Sequence, residues 1–203
     1  MQCTKCPRAL PRADDSGDKY TGNWNQGKQE GHGVYVYANG DRYVGEWLQG
    51  KHSGSGTYYF KSGKIFQGSY KNGSPSGHGV FLYTNGEKLD GEWNGSAYPD
   101  YGIYTYANGD RYGGSWRQGK KHGIGTYYFI SGAKYQGEYK EGEPHGQAKF
   151  IEKDGKAYEE VSGEWSDSLQ GLTHTHTHSA LHTHSALRVC VCALVALSMP
   201  FTP

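Results

Sequence analysis

The sequence predicts an all-β fold: an elongated, single-layer antiparallel sheet of consecutive β-hairpins with disordered termini. Three observations predict it. Glycine and tyrosine are in excess, at 32 and 18 of 203 residues. They recur at one fixed spacing, the step from Tyr20 to Tyr43. Within each repeat, short runs of period-2 alternation are separated by glycine-rich turn signals. Hydrophobic residues make up only 34 % of the chain, which is low for a layered globular fold. Glycine and proline in this abundance would point to disorder if they lacked a period, so the period decides the fold class.

Repeats begin at Tyr20, Tyr43, Phe66, Leu89, Tyr112 and Tyr135. A seventh is placed at Val161, late by the length of an extra Tyr158-Glu159-Glu160. The third position is glycine throughout: Gly22, Gly45, Gly68, Gly91, Gly114, Gly137 and Gly163. The fifth is Trp or Tyr: Trp24, Trp47, Tyr70, Trp93, Trp116, Tyr139 and Trp165. A longer period overlies the short one. Tyr37 to Tyr43 recurs unchanged as Tyr106 to Tyr112, and Gly56 to Phe60 as Gly125 to Phe129, both at a distance of three repeats. This suggests duplication of a three-hairpin block.

Tyr43-Val44-Gly45-Glu46-Trp47 reads as a strand with Tyr43, Gly45 and Trp47 on one face. Gln49 to Gly54 reads as a glycine-rich turn, Gly56 to Phe60 as a second strand and Lys61 to Lys64 as the next turn. In three units that last turn carries Asn39-Gly40, Asn85-Gly86 or Asn108-Gly109, which suits a tight hairpin with both residues at positive φ. A glycine inside a strand is normally unfavourable. Its recurrence among large aromatics implies that a neighbouring ring lies over the bare backbone, giving a thin core with no second layer. Unit four departs from the pattern, with Ser96 and Asp100 in place of two turn glycines, and unit six has Ala148 where glycine is expected. The array spans residues 19–168, six full units and a truncated seventh, behind a disordered leader over 1–18.

The remaining chemistry is sparse. From Asp18 to Gln170 there are 17 Lys and Arg against 18 Asp and Glu, so no strong field draws a nucleic acid. Cys3-x-x-Cys6 is half a zinc site with nothing to complete it. His32, His52, His78, His122 and His145 fall in or beside turns at differing offsets, without ligand geometry. No phosphate loop, GxSxG, HExxH or kinase signature occurs. The tail over 169–203 alternates His with Thr, then Val189-Cys190-Val191-Cys192, as translated CA and GT runs would, and reads as a gene-model artefact. Its apolar run Val189 to Met199 is too short to span a bilayer, which takes ~20 residues. No cofactor, metal, nucleic acid or small-molecule substrate is expected, and no enzymatic activity.

The stretches YVGEWLQGKHSGSGTYYFKSGK, from Tyr43, and YGGSWRQGKKHGIGTYYFISG, from Tyr112, resemble the MORN repeat (membrane occupation and recognition nexus). Members of that family occur in ciliary radial-spoke heads, junctional membrane proteins, parasite cytoskeletal baskets and plant phosphoinositide kinases. The resemblance implies a non-catalytic scaffold or adaptor for protein assembly, in the cytoplasm at the cytoskeleton or a ciliary axoneme. Its partners are then other proteins, a second copy included. The alternatives it implies are a membrane-surface, phosphoinositide-associated module with weak membrane association, and the regulatory repeat region of a larger lipid kinase. The expected interaction face holds Trp24, Trp47, Trp93 and Trp116 with Tyr35, Tyr58, Phe81, Tyr104 and Tyr127, because a single-layer sheet leaves a long apolar stripe.

Overall fold

The computed structural model describes residues 12–13 and 17–162. They form one antiparallel sheet in strict chain order: β1 (Arg12–Ala13), β2 (Lys19–Asn25), β3 (Lys28–Val36), β4 (Arg42–Leu48), β5 (Lys51–Tyr59), β6 (Ile65–Lys71), β7 (Ser74–Leu82), β8 (Lys88–Asn94), β9 (Tyr101–Thr105), β10 (Arg111–Arg117), β11 (Lys120–Tyr128), β12 (Lys134–Lys140), β13 (Glu143–Ile151) and β14 (Ala157–Ser162). The hairpins of the six full repeats are β2 to β13. Two residues of the expected leader, Arg12 and Ala13, pair with Tyr20 and Lys19 and add a short strand.

Two turn assignments differ from expectation. The turn read from Gln49 to Gly54 is only Gln49-Gly50, with φ of 50° and 80°, and Lys51 onward belongs to β5. The backbone twist of two positive-φ residues matches that of the flanking strands, so this loop takes little chain. Conversely, Asn39-Gly40 is not a two-residue turn. Only Gly40 has positive φ; Tyr37 and Asp41 close a three-residue loop, with Tyr37 N donating to Asp41 O at 2.9 Å. Asn39 acts through its side chain, its Oδ1 accepting from Asp41 N at 2.8 Å.

Unit seven also shifts. Tyr158 pairs with Phe150 as Tyr135 pairs with Tyr127, so the regular repeat step continues to Tyr158 and not to Val161. Glu160 therefore occupies the glycine register, opposite Ala148. Tyr158, Glu159 and Glu160 are strand rather than insertion, since backbone pairing tolerates any residue type. Gly163 and Trp165 lie outside the described residues.

The glycines stand where the aromatic pattern requires them. Gly22 pairs with Gly33, Gly45 with Gly56, Gly68 with Gly79 and Gly114 with Gly125. The first-position side chain folds along its strand over each pair. A Cβ on Gly33 would lie 2.5 Å from Tyr20 Cε2, one on Gly79 would lie 2.6 Å from Phe66 Cζ, and one on Gly125 would lie 2.5 Å from Tyr112 Cζ. Lying flat, Tyr20, Tyr43 and Tyr112 donate through Oη to the carbonyls of Asn23, Glu46 and Ser115 at 3.0–3.1 Å. In unit four, Leu89 is too short to cover Gly91, and the buried Pro99 from the irregular turn completes the cover, 2.9 Å from a Cβ at that glycine.

Those carbonyls flank a register break. Between Gly22 and Asn23 the pairing skips Gly31 and His32 of β3, and Gly31 takes φ of 65°. The same break recurs after Gly45 and Gly137. Each is a β-bulge built on a left-handed glycine, and each adds local twist. The tyrosine hydroxyl thus satisfies a carbonyl beside the break.

Consecutive units are also tied at one edge by carboxylates. Asp41 accepts from Tyr58 Oη at 2.9 Å and from Lys61 N at 2.7 Å. Asp18 does the same with Tyr35 and Ala38 N, and Asp110 with Tyr127 and Ile130 N. Glu87 accepts from Tyr104 Oη at 2.5 Å. Those bonds, the Lys61 amide first, hold the Asp41 carboxyl below its ordinary range. Where the acid is absent, at Lys64 and Ala133, the aromatic at the matching place on the next strand but one is Phe81 or Phe150, so no hydroxyl is stranded. A double-mutant cycle of Asp41→Ala and Tyr58→Phe, followed by urea unfolding, is expected to show coupling of about 1–2 kcal/mol. Lys64→Asp combined with Phe81→Tyr is expected to stabilise beyond the sum of the single changes.

Candidate protein-docking faces

In the regular units, each first-position ring sits edge-on between two fifth-position rings, one from its own unit and one from the next. Tyr20 meets Trp24 at 5.0 Å and Trp47 at 5.3 Å, with interplanar angles of 87° and 77°. Tyr43 meets Trp47 and Tyr70, Phe66 meets Tyr70 and Trp93, and Tyr112 meets Trp116 and Tyr139. Edge-to-face contact at this distance is the favoured aromatic geometry. Beside them runs a second row of tilted rings at spacings of 4.6–5.7 Å, from Tyr35 and Tyr37 through Tyr58, Phe60, Phe81, Tyr83, Tyr104, Tyr106 and Tyr127 to Phe129.

The nine residues expected to form an interaction face therefore lie on one face but differ in exposure. Trp47, Trp93, Tyr104 and Tyr127 are buried, while Trp24, Tyr35, Tyr58, Phe81 and Trp116 are half-buried. Tyr37, Phe60, Tyr83 and Phe129, not singled out by the sequence, join the half-buried set. They close the turns two positions past Tyr35, Tyr58, Phe81 and Tyr127, so the alternation of the strand carries them onto the same face.

Two members of this face carry titratable groups that turn position alone does not reveal. His52, opposite Trp47, stacks on Tyr43 at 3.7 Å and 14°. Its Nε2 lies 3.0 Å from Tyr37 Oη. Burial pushes the imidazole down to about 4, and burial first, with Asp18 and Asp41 nearby, pushes the Tyr37 phenol up to about 12. At neutral pH both groups are uncharged, and the tautomer of the imidazole sets which of the two donates. The equivalent residue three repeats on is Lys121, only 4 % exposed. Its Nζ stands 5.4–5.7 Å from the ring centroids of Tyr112, Tyr127 and Tyr139 and has no hydrogen-bond partner. Burial lowers it to about 8, with Glu143 opposing. Among the described residues no group of three or more His, Cys, Asp or Glu can hold a metal ion, and no helix is long and apolar enough to cross a membrane.

The opposite face is polar and ordered in rows. Arg42 lies over Tyr59 at 4.2 Å and Arg111 over Tyr128 at 5.6 Å. Around β9 to β11 this face carries exposed Tyr101, Ile103, Ile124 and Tyr128. Tyr101, Ile103 and Tyr128, with Arg111, Gly113 and Thr126, line a recess of about 280 Å³.

A sheet of stacked hairpins with a one-sided aromatic core defines a repeat protein whose stability is shared between neighbouring units. The MORN repeat family model matches residues 20–42, 43–65, 66–88, 101–111, 112–134 and 135–156, and the chain belongs to that family. The unmatched stretch 89–100 holds Leu89, Pro99 and the irregular turn. No curated protein matches the sequence. Among solved structures, the SAS-4 (dCPAP) TCP domain of Drosophila melanogaster, solved with a proline-rich motif of Ana2 (dSTIL), is similar at 10 % identity over 80 % of this chain and 95 % of that one, with a TM-score of 0.47. The wild-type TCP10 domain of Danio rerio CPAP is similar at 13 % identity over 75 % of this chain and 100 % of that one, with a TM-score of 0.30.

The His52 pKa lies below its ordinary value of 6.5, so its contribution to stability is full above pH 6.5 and is lost as pH falls through about 4. His52→Gln, with Gln29 as precedent at the same position, is expected to flatten the fall in melting temperature over that window. Lys121 remains a buried cation at pH 7, and Lys121→Met is expected to raise the melting temperature there by roughly 2–6 °C. An unchanged or lower value would contradict the placement of Nζ.

Proposed function

We propose that this protein is a non-catalytic scaffold that docks other proteins along its aromatic face, in a cytoskeletal or ciliary assembly. The observation that carries the reading is the row of half-buried rings from Tyr35 to Tyr83, taken up again at Phe129 beyond the buried Tyr104, Tyr106 and Tyr127, in which Tyr37, Phe60, Tyr83 and Phe129 keep exposed surface that none of the described residues covers. Long apolar stripes on soluble proteins are rare outside contact surfaces. Rings held by neighbours on both sides lose little freedom on binding, so their apolar area converts to affinity with a small entropic loss. The near-neutral array supports contacts that depend on apolar burial rather than on a charged field. The cytoskeletal or ciliary setting follows the family members that this repeat pattern resembles.

The test is co-sedimentation of the purified chain with demembranated axonemes and with filament preparations, at low and at high salt. Retention at high salt is expected, and its loss is expected in the Phe60→Ser/Phe129→Ser variant with far-UV circular dichroism unchanged. A chain that stays in the supernatant at every salt concentration, or a variant retained like the parent, would contradict the proposal.

A further inference from the structure

On the face opposite the aromatic rows, one glycine has no structural reason to be glycine. Gly113 lies in the middle of β10, opposite Ile103 on one side and Thr126 on the other. Its φ is not positive. No neighbour crowds it: a Cβ there would meet Ile103 Cγ1 at 3.7 Å and the edge of the Tyr128 ring, Cε2, at 3.9 Å, which is ordinary contact. The same position in other units carries Thr21, Val44, Gln67, Asp90 and Gln136. Glycine in a strand interior weakens the strand and leaves nothing to pack. Here its effect is to open the recess lined by Tyr101, Ile103, Arg111, Thr126 and Tyr128. Tyr101 and Ile103 are 61 % and 46 % exposed at its rim.

The charges around the recess are sorted. Two positions along the strands in one direction lies a basic row, Lys88, Arg111 and Lys134, joined through the pairs Lys88↔Thr105↔Arg111 and Arg111↔Tyr128↔Lys134. In the other direction Glu92 pairs with Tyr101, while the Glu138 carboxylate is turned over Gly146 on β13. Level with the recess, Asp90 on β8 is engaged by His78 Nε2 at 2.9 Å. A separation of two positions is about 6.7 Å in a strand, which equals the spacing of same-side residues in an extended ligand.

We propose that this recess is a second docking site, on the face away from the aromatic rows, for an extended segment of a partner protein with the pattern acidic–x–apolar–x–basic. The apolar side chain fills the space above Gly113, the carboxylate pairs with Arg111 between Lys88 and Lys134, and the cation faces Glu92. The recess accepts one side chain, so the site reads a short motif rather than a folded surface.

The test uses the full chain, labelled with 15N, and four synthetic peptides Glu-Thr-Φ-Thr-Lys in which Φ is Leu, Ile, Met or Phe. At least one is expected to shift the amide signals of Ile103, Gly113 and Thr126. Replacing Glu by Lys in that peptide, or Φ by Gly, is expected to weaken binding about tenfold or more. Gly113→Val is expected to abolish the shifts while holding or raising the melting temperature, and Arg111→Glu to weaken binding without unfolding the chain. The proposal is overturned if none of the four peptides shifts those signals, if Gly113→Val still binds, or if Gly113→Val lowers the melting temperature, since glycine would then serve the fold. Phe60→Ser/Phe129→Ser is expected to bind the peptide normally, so failure of this site and failure of aromatic-face docking are separable.

Discussion

The structure depends on one contact: an aromatic ring lying flat on a pair of glycines that face each other across two strands. A sheet normally needs a second layer to bury one of its faces. Here the bare backbone of Gly33, Gly56 or Gly125 serves as the floor, and the tyrosine that opens the repeat is the cover. Tyr43 and Tyr112 become fully buried without any layer above them. The ring's reach then places its hydroxyl on a carbonyl beside the bulge. The bulge in turn needs a left-handed glycine, Gly54 or Gly123, on the partner strand. Three glycines of each regular unit follow from the position of one ring.

The same contact makes stability a property of neighbours. Each first-position ring of a regular unit is gripped by the fifth-position ring of the next, and carboxylates such as Asp41 tie consecutive turns. A single hairpin lacks both partners, in keeping with the marginal stability of isolated hairpins. The carboxylate ties follow the three-repeat period: two present, then one absent at Lys64, two present, then one absent at Ala133. The three-repeat period of the sequence is therefore also a period of hydrogen bonding between units. The two copies of the block differ where the fold permits. His52 in one is matched by Lys121 in the other on the aromatic face, and Val44 by Gly113 on the opposite face. One face of the sheet is governed by packing and keeps its pattern, while the other tolerates change and can acquire specificity.

The hairpin order, the glycine positions and the sharing of one face by the aromatics were all legible in the sequence, because they follow from alternation along each strand, from the repeat length and from the size of side chains. Turn geometry was less legible. Asn39-Gly40 has the signature of a two-residue turn, yet the pairing of Tyr37 with Asp41 adds a residue to the loop. Gln49, with no turn signature, takes positive φ because Gly50 and the strand twist impose it. The seventh unit follows the repeat length at Tyr158 rather than the glycine pattern at Val161. The link from Asp41 to Tyr58, and its replacement by Lys64 with Phe81, was present in the sequence as a paired change at one constant separation. Only the structure shows why that separation matters. The half-buried turn rings follow strand alternation two positions past their neighbours, whereas the recess at Gly113 depends on three-dimensional stagger and has no local sequence signal.

The central claim is that the ring is what excludes a side chain at the glycines it lies on, Gly33, Gly56 and Gly125, and it is tested most directly by Gly56→Ala in two backgrounds. The three heavy atoms nearest to a Cβ at Gly56 all belong to Tyr43. In the parent chain the substitution is expected to destabilise by about 3 kcal/mol or more in urea unfolding, as overpacking of a tight site does. In the Tyr43→Leu background, where the ring is gone, the same substitution is expected to destabilise by less than about 1 kcal/mol. An equal loss in both backgrounds would show that the backbone alone demands glycine, and would contradict the account.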